Sequence, residues 1–310
     1  MKKNIILKLL LIPLISANVF TIISLLSGFN YYADIICNFA FQFFIIQFIC
    51  LLFTSNKYKK TALISLFIML LNLYQIIPLY FSHDNFTEDS KKNSLSIIQL
   101  NIYRDNKDYP SVKRLLDKYK PDIFLINELC PDAATYFSKE LTDYKLKKLI
   151  PRNDFFGVGI FSKIDIKVKD LYLKKTSTPI INADFKFDNN DYSIYFTHLA
   201  SPETKTMFDN RTAQLQELTH IVKTNNNRII IAGDFNLTSY SSYFKRFIKN
   251  TSLKYSRKGF GLQNSWPTFT PIFRICLDHF FISPEIKVLD RKVLEPIGSD
   301  HFPVLLYLSK

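Results

Sequence analysis

The chain has 310 residues, of which 47% are apolar, and its basic residues outnumber the acidic ones to give a net charge of +13. It contains no internal repeat and no low-complexity block, which argues against repeat architectures. Its four cysteines lack zinc-type spacing, which argues against a structural zinc site. An oxidising compartment would allow Cys130 and Cys276 to pair, and the sequence leaves that pairing open.

Residues 1–81 are nearly all apolar and contain three stretches long enough to cross a bilayer. These cover about 5–27, 34–54 and 62–81, each close to the roughly 20 residues that a spanning helix needs. The start Met1-Lys2-Lys3 also fits a cleaved signal peptide. Because two further apolar stretches follow at once, the sequence favours an uncleaved anchor of about three transmembrane helices, which binds the lipid bilayer through residues 1–81.

The lysines of this region predict its orientation. Five of its six lysines precede the first stretch or lie between the second and third: Lys2, Lys3, Lys57, Lys59 and Lys60. The loop 28–32 has no basic residue, so the positive-inside rule places the N-terminus and the second loop in the cytoplasm. We therefore expect a multi-pass protein of the cytoplasmic (inner) membrane with the rest of the chain extracytoplasmic. Lys91 and Lys92, near the third stretch on the outer side, count against this orientation.

Residues 82–94 are polar and predict a linker, and 95–310 is long enough for one well-buried domain. After residue 81 the chain has 34 basic and 26 acidic residues, a net charge of +8. That balance favours an anionic partner such as nucleic acid, phospholipid headgroups or phosphorylated glycans. It equally fits a merely soluble surface, because no dense basic run is present.

Short apolar runs predict seven strands in this domain, and two amphipathic segments predict helices. The strands are predicted over 95–101, 122–127, 157–162, 192–198, 228–233, 277–283 and 303–308. The helices are predicted over 111–120 and 210–224. This mixture predicts a layered α/β domain in which helices cover the sheets.

Almost every predicted strand is flanked by an acid, an amide or an imidazole. These residues are Asn101, Glu128, His198, Asp234, Asn236, Asp278, Asp300 and His301. Taken singly, each fits a turn former, a surface acid, a loop cap or a structural histidine. Taken together, so many metal-binding or proton-transfer groups at strand ends predict one shared catalytic site.

The acids among them indicate metal chemistry. If Glu128, Asp234, Asp278 and Asp300 lie close together, their mutual repulsion raises their pKa values and destabilises the fold. A divalent cation relieves that repulsion, and oxygen ligands favour Mg²⁺ or Mn²⁺ over zinc. Such a cation polarises a phosphoryl oxygen and stabilises the leaving oxygen.

In this order the strand-end motifs resemble those of the endonuclease/exonuclease/phosphatase superfamily, over nearly all of 95–310. The motifs are Leu100-Asn101, Asn127-Glu128, Thr197-His198-Leu199, Gly233-Asp234-Phe235-Asn236, Leu277-Asp278-His279 and Ser299-Asp300-His301. The apolar N-terminal region and Ser265-Trp266-Pro267-Thr268 resemble a membrane-anchored bacterial branch. The resemblance implies a four-layer α/β sandwich, two mixed β-sheets flanked by helices, with the site along one sheet edge.

The resemblance also implies roles. Glu128 is the principal metal ligand, with Asn101 and Asp300 nearby. His301 acts as general base or transition-state stabiliser and is oriented by Asp278. Asp234 holds the attacking water, Asn236 contacts a non-bridging oxygen, and His198 contacts the phosphate or protonates the leaving group. Tyr103 stands where some relatives carry a second acid, which puts a second metal in doubt.

The predicted function is that of a membrane-anchored, divalent-metal-dependent phosphoesterase that hydrolyses a phosphodiester or phosphomonoester by in-line attack of water. The alternative is a catalytically silent, membrane-tethered binding module for a phosphorylated ligand. Nucleic acid, phospholipid and phosphorylated glycan stay open as substrates, and no obligate protein partner is evident. Arg211 and Asn106 are either substrate contacts or surface groups. Specificity is expected in the 251–275 loop, through Lys254, Arg257, Lys258, Trp266 and Arg274.

Overall fold

The computed structural model describes residues 2–81 and 94–309. Its N-terminal region consists of four helices and a short 3-10 turn. They are α1 (Lys2–Ser24), α2 (Tyr31–Cys37), α3 (Ala40–Thr54), α4 (Lys59–Ile76) and the turn Ile77–Leu79. Two segments, Asn4–Ser24 and Lys59–Leu79, are long and apolar enough to cross a membrane, and α2 with α3 makes a third if that bent pair is one span. The predicted linker 82–94 falls outside the described residues except for Ser94.

The second apolar stretch differs from the single helix expected over 34–54. It is two helices, α2 and α3, bent by 63°. Asp34 on α2 is fully buried, and its carboxylate pairs with Arg211 and accepts a 2.5 Å hydrogen bond from Ser241 Oγ. A carboxylate is costly in lipid, so α2 packs against the C-terminal domain (residues 94–309), where a cation and a hydroxyl satisfy it.

Buried polar side chains join the N-terminal helices. Gln47 Nε2 donates to Asn18 Oδ1 at 3.0 Å, and Asn72 Nδ2 donates to Gln47 Oε1 at 3.0 Å and to Thr21 Oγ1 at 2.8 Å. Many large apolar side chains of α1, α3 and α4 are exposed instead. Polar side chains inside and apolar ones outside are the arrangement by which helices associate in lipid.

The C-terminal domain contains two six-stranded mixed sheets. The first has the order β11-β12-β1-β2-β4-β3, and the second β5-β6-β7-β8-β10-β9. The strands of the first sheet are β1 (Leu95–Asn101), β2 (Ile123–Asn127), β3 (Leu146–Ile150), β4 (Val158–Ser162), β11 (Val288–Val293) and β12 (Val304–Leu308). Those of the second are β5 (Lys167–Leu173), β6 (Thr178–Phe187), β7 (Asn190–His198), β8 (Arg228–Asp234), β9 (Lys254–Tyr255) and β10 (Asp278–Ile282).

The sheets pack face to face, and helices cover their outer faces. Residues of both sheets, such as Ile97 and Ile230, share one buried cluster. Helices α5 (Tyr109–Tyr119) and α6 (Pro131–Glu140) lie over the first sheet; α7 (Lys205–Lys223) and α8 (Ser242–Thr251) lie over the second. The predicted four-layer α/β sandwich is therefore confirmed.

Two central parallel pairs position the polar strand ends. β1 pairs with β2 so that Asn101 lies opposite Asn127, and β7 pairs with β8 so that His198 lies opposite Asp234. Because parallel strands end at the same sheet edge, the residues at their carboxyl ends cluster. The two clusters face each other across the interface between the sheets.

The N-terminal helices pack on this domain at one end of their bundle. Ala40, Ile76 and Leu79 belong to the same buried cluster as α7 and α8. The Leu79 carbonyl accepts hydrogen bonds from the backbone N–H groups of Gly259 and Gly261 at 2.9 and 2.7 Å. The helices and the sandwich thus share an apolar core.

Candidate active site

Asn101 links the polar ends of the two sheets. Its Nδ2 donates to Glu128 Oε1 at 2.9 Å and to Asp234 Oδ2 at 3.2 Å. All three residues are at most 8% exposed. The strand-end residues of β1, β2 and β8 therefore converge.

The backbone at these strand ends is unusual. Glu128 and Asn236 have φ of 57° and 52°, a region that side-chain-bearing residues seldom adopt. Gly233 has φ of 149°, and a Cβ there would lie 1.9 Å from the Thr197 carbonyl oxygen. Only glycine allows β8 to approach β7 so closely. Strained positions of this kind cluster at functional sites.

Asp278 and His301 form a buried pair. His301 Nδ1 lies 2.8 Å from Asp278 Oδ2, and Gln99 Nε2 donates to Asp278 Oδ1 at 3.0 Å. His301 Nε2 lies 3.5 Å from Asp234 Oδ2. The arrangement aims the imidazole at Asp234 and fixes its second nitrogen on Asp278.

Burial and neighbouring charges shift the pKa values of these groups in opposite directions. Burial lowers the pKa of His301, but Asp278 and Asp234 outweigh it and raise that pKa to about 10. Burial raises the pKa of Asp278, but the charge and hydrogen bond of His301 outweigh it and bring that pKa below its ordinary value. The pKa of Asp234 is raised by burial, against the opposing effects of His301 and His198. His301 is therefore an imidazolium at neutral pH when no metal is bound.

His198 lies on the other side of Asp234. Its Nδ1 is 2.7 Å from the Phe155 carbonyl oxygen, so Nδ1 carries a hydrogen and Nε2 faces the site. That Nε2 is 3.5 Å from Asp234 Oδ2 and 3.2 Å from Asn236 Nδ2. Asn236 also donates to the Leu199 carbonyl at 2.9 Å. All five residues predicted to be catalytic are thus brought together around Asp234.

Glu128 and Asp300 offer oxygens to a cation. Both residues line one cavity. Asp300 Oδ1 is buried and has no hydrogen-bond partner among the described residues, whereas its Oδ2 accepts from Trp266 Nε1 at 3.0 Å. Among the described residues, Glu128 Oε2 accepts a hydrogen bond from one group, the Arg104 backbone N–H at 2.9 Å. Since an orphaned buried carboxylate oxygen is costly, this pair fits a hard divalent cation.

A second group of possible ligands consists of Asp234, Asp278 and His301, whose ligand atoms lie within 4.8 Å of one another. Asp278 and His301 already satisfy each other, and Gln99 occupies the remaining Asp278 oxygen. Mg²⁺ prefers oxygen to imidazole nitrogen. We therefore favour Glu128 and Asp300 for the cation.

The amide of Asn101 is not oriented as expected for the metal ligand that the sequence predicts. Its Oδ1 accepts a 2.9 Å hydrogen bond from the Tyr103 backbone N–H, and its amino group points at the carboxylates. As oriented, Asn101 reduces carboxylate repulsion by donation. A ligand role requires rotation of the amide.

The cavity has a volume of about 400 Å³ and includes residues that the sequence did not single out. Ile35, Asn38 and Phe39 of the N-terminal region line it together with Glu128 and His301. The one signal for this contact was Asp34, an acid within an apolar stretch. Its burial against Arg211 explains why α2 lies at the site.

Several other expectations were wrong. Arg211 neither contacts the cavity nor lies on the surface, since it is fully buried and donates to Asp34 and to the Asn236 carbonyl. Asn106 is also buried and holds its own loop through Ile297 and Asp108.

In the 251–275 loop, only Trp266 of the five named residues lines the cavity. Arg257 is buried and donates to the Gly261 carbonyl at 3.0 Å. Arg274 packs over the Phe302 ring and donates to the Pro267 and Thr268 carbonyls. Arg257 and Arg274 therefore shape the loop. All four cysteines, including Cys130 and Cys276, are free and buried.

Two facing mixed sheets with buried acids, amides and imidazoles at their joined edge define a phosphoesterase-type sandwich. The family model described as the endonuclease/exonuclease/phosphatase family matches residues 98–301. The chain belongs to this family. No curated protein matches it in sequence.

Solved structures share the fold at low sequence identity. Humanized D. rerio TDP2 is 19% identical with a TM-score of 0.61, over 71% of this chain and 100% of that one. D. rerio TDP2 complexed with single strand DNA product is 20% identical with a TM-score of 0.59, again over 71% and 100%. Bacteroides thetaiotaomicron mannosyl-6-phosphatase is 20% identical with a TM-score of 0.57, over 70% and 100%. These neighbours show the fold, and membership of the family supports hydrolysis of a phosphoester bond.

Proposed function

We propose that this protein is a membrane-anchored, divalent-metal-dependent phosphoesterase that hydrolyses a phosphodiester or phosphomonoester by in-line attack of water. One observation carries the proposal: a single cavity brings together the acids and imidazoles of the strand ends. It is lined by Glu128, Asp300, Asp234, His198 and His301, and Asp278 adjoins it through its bond to His301. Neighbouring structures bind a DNA product or are named for a sugar phosphatase, which supports phosphoester chemistry and leaves the substrate open.

Each group has a task that its contacts support. Asp234 accepts from water and lies 3.5 Å from both His198 Nε2 and His301 Nε2, so it orients a nucleophile between two imidazoles. His301, held protonated by Asp278, places positive charge where charge develops on the phosphoryl oxygens. Asn236 has its amino group at the Leu199 carbonyl and His198 Nε2, so it orients that imidazole toward the leaving group. It reaches a non-bridging oxygen of the substrate by exchanging one of these partners. A cation on Glu128 and Asp300 supplies Lewis-acid polarisation when bound.

Residues 1–81 act in this proposal as an anchor in the cytoplasmic membrane, with the catalytic domain outside the cytoplasm. Two helices have the length and hydropathy to cross a bilayer. Lys57 Nζ bonds Asn4 Oδ1 at 2.6 Å, so both lysine clusters lie at one end of the bundle. The C-terminal domain packs at the other end, through contacts such as Ser27–Ser242 at 2.6 Å. The lysines and the C-terminal domain thus lie at opposite ends of the bundle, which supports the orientation given by the positive-inside rule.

The direct test is hydrolysis of 4-nitrophenyl phosphate and bis(4-nitrophenyl) phosphate by the full chain in detergent with Mg²⁺. We expect turnover that EDTA abolishes, and a loss of at least about 10²-fold in His301→Ala, because it removes the positive charge that stabilises the phosphoryl oxygens in the transition state. His220→Ala, at an exposed position on α7, is the matched control and keeps wild-type turnover. Turnover equal in wild type and His301→Ala would refute the mechanism. Binding of phosphate without turnover would favour the silent binding module.

A further inference from the structure

The wall of the active-site cavity that comes from the anchor indicates a substrate class. Ile35, Asn38 and Phe39 lie in the anchor sequence yet line the cavity that holds Glu128 and Asp300. The active-site cavity therefore adjoins the proposed anchor. That position suits a substrate that itself resides in the membrane.

This wall is firmly held. Asp34 pairs with buried Arg211, and Asn38 Oδ1 accepts from the Thr238 backbone N–H and hydroxyl at 3.0 and 2.9 Å. Tyr31 Oη donates to the Pro202 carbonyl at 2.9 Å. Because these bonds join α2 to α7 and to the loop after β8, the apolar wall keeps its place beside the catalytic groups.

An apolar surface continues from this wall to the lipid-facing helices. The rings of Phe39 and Phe273 meet edge-on with centroids 6.4 Å apart. Gln42 Nε2, on the first turn of α3, donates to the Ile272 and Arg274 carbonyls at 3.2 and 3.0 Å. The loop tied to α3 in this way exposes its large apolar side chains: Phe269 is 76%, Ile272 74% and Phe273 56% exposed. Exposed apolar residues next to membrane helices fit insertion into the interfacial region of a bilayer.

The charges at the cavity favour a lipid over nucleic acid. Among the described residues that line it, none is lysine or arginine. The nearby Arg104 guanidinium bonds Asp105 and stacks over Phe155. Proteins that bind nucleic acid neutralise several successive phosphates with basic side chains. A lipid phosphoester needs one phosphate site and an apolar path, and both are present.

We propose that the substrate is a lipid phosphoester drawn from the bilayer. Its phosphate would lie beside His301, at the place where Glu128 and Asp300 would hold the cation, while its apolar chain lies along Phe39 and Phe273. Water attacks phosphorus, and one P–O ester bond breaks. The leaving oxygen takes a proton and the phosphoryl group keeps the oxygen of the water. This inference rests on the proposed phosphoesterase function.

The test compares lipid and soluble esters on the same full-length protein in Mg²⁺. The lipid probes are vesicles of phosphatidylglycerol containing phosphatidic acid, and lipid products are measured by mass spectrometry. The soluble probes are 4-nitrophenyl phosphate and bis(4-nitrophenyl) phosphate. We expect Phe273→Ser to lower the ratio of lipid to soluble turnover at least about tenfold, because covering one apolar side chain with lipid is worth roughly that factor. Phe273→Leu restores most of the ratio.

The matched control is Tyr172→Ser, which removes a half-exposed aromatic side chain from edge strand β5 and leaves the ratio unchanged. Three outcomes overturn the inference while leaving phosphoesterase activity intact: an unchanged ratio in Phe273→Ser, hydrolysis of the soluble esters alone, or faster cleavage of a single-stranded oligonucleotide than of lipid. Hydrolysis of no probe at all overturns both this inference and the proposed function.

Discussion

In the proposed mechanism, metal binding depends most on Glu128. Its Oε2 has one backbone partner, and it shares the cavity with the orphaned oxygen of Asp300. We expect Glu128→Gln to weaken Mn²⁺ binding at least about tenfold, because a charged oxygen ligand is replaced by a neutral amide. Electron paramagnetic resonance of free Mn²⁺ measures the change without relying on turnover.

The control for that experiment is Glu203→Gln, since Glu203 lines the same cavity but lies away from the strand ends. We expect its Mn²⁺ affinity to match wild type. If Glu128→Gln also binds like wild type while Asp234→Asn does not, the cation sits on the Asp234, Asp278 and His301 group instead.

The Asp278–His301 pair predicts a pH-dependent stability. The pKa of His301 is about 10 in the folded, metal-free protein and about 6.5 in an unfolded chain. The stabilisation that protonated His301 gives to the folded state is therefore complete below about pH 6.5. It declines as the pH rises and is lost above about pH 10. Thermal unfolding in EDTA should show wild type losing more Tm between pH 7 and 10 than Asp278→Asn. Parallel Tm profiles for the two proteins would contradict the assignment.

At the residue scale, the sequence indicated which polar residues lie close together, because apolar runs mark where each strand ends. Asp234 and Asn236 follow an apolar run, and the structure places them beside His198. It could not predict that Arg211 is buried, because the partner Asp34 lies far away in the chain. Contacts between distant segments leave no local pattern.

Among the elements, α2 is held on the C-terminal domain by the ion pair between Asp34 and Arg211, together with the hydrogen bonds of Tyr31 and Asn38. Both side chains are fully buried. We expect Asp34→Asn or Arg211→Met alone to destabilise the protein by roughly 3–5 kcal/mol, because each leaves an unpaired buried charge. The double variant Asp34→Leu/Arg211→Met should recover much of that loss. Thermal unfolding in detergent measures all three.

The exposed pair Lys205–Asp209 on α7 is the matched control. Lys205→Met should change the free energy of unfolding by less than about 1 kcal/mol, because surface ion pairs contribute little. Equal effects of Arg211→Met and Lys205→Met would show that the buried pair does not hold α2 in place.

The elements that the sequence predicted are those with clear apolar patterns. All seven predicted strands occur, and α5 and α7 overlap the predicted helices. β5 was missed because its sequence, Lys-Val-Lys-Asp-Leu-Tyr-Leu, is half charged and lies at a sheet edge. The bend between α2 and α3 was missed because hydropathy alone makes 34–54 one apolar stretch. Only tertiary contact with Arg211 distinguishes the two helices.

For the whole molecule, the lysines at one end of the helix bundle and the C-terminal domain at the other predict its orientation in the membrane. We expect a cysteine introduced as Lys174→Cys, exposed on the catalytic domain, to react with a membrane-impermeant maleimide on intact cells. Lys60→Cys should react only after permeabilisation. The four native cysteines are buried, so background labelling is low. The reverse labelling pattern would place the catalytic domain in the cytoplasm.

Because the N-terminal helices and the sandwich share an apolar core, assembly of the protein requires both parts. A fragment cut free after residue 81 would leave Arg211 without its counter-ion and open one side of the reaction chamber. If residues 1–81 anchor the protein as proposed, a newly made chain would gain a complete cavity only after these residues have docked on the sandwich. Proteolytic release of the sandwich would then abolish the proposed activity, which would stay confined to the membrane.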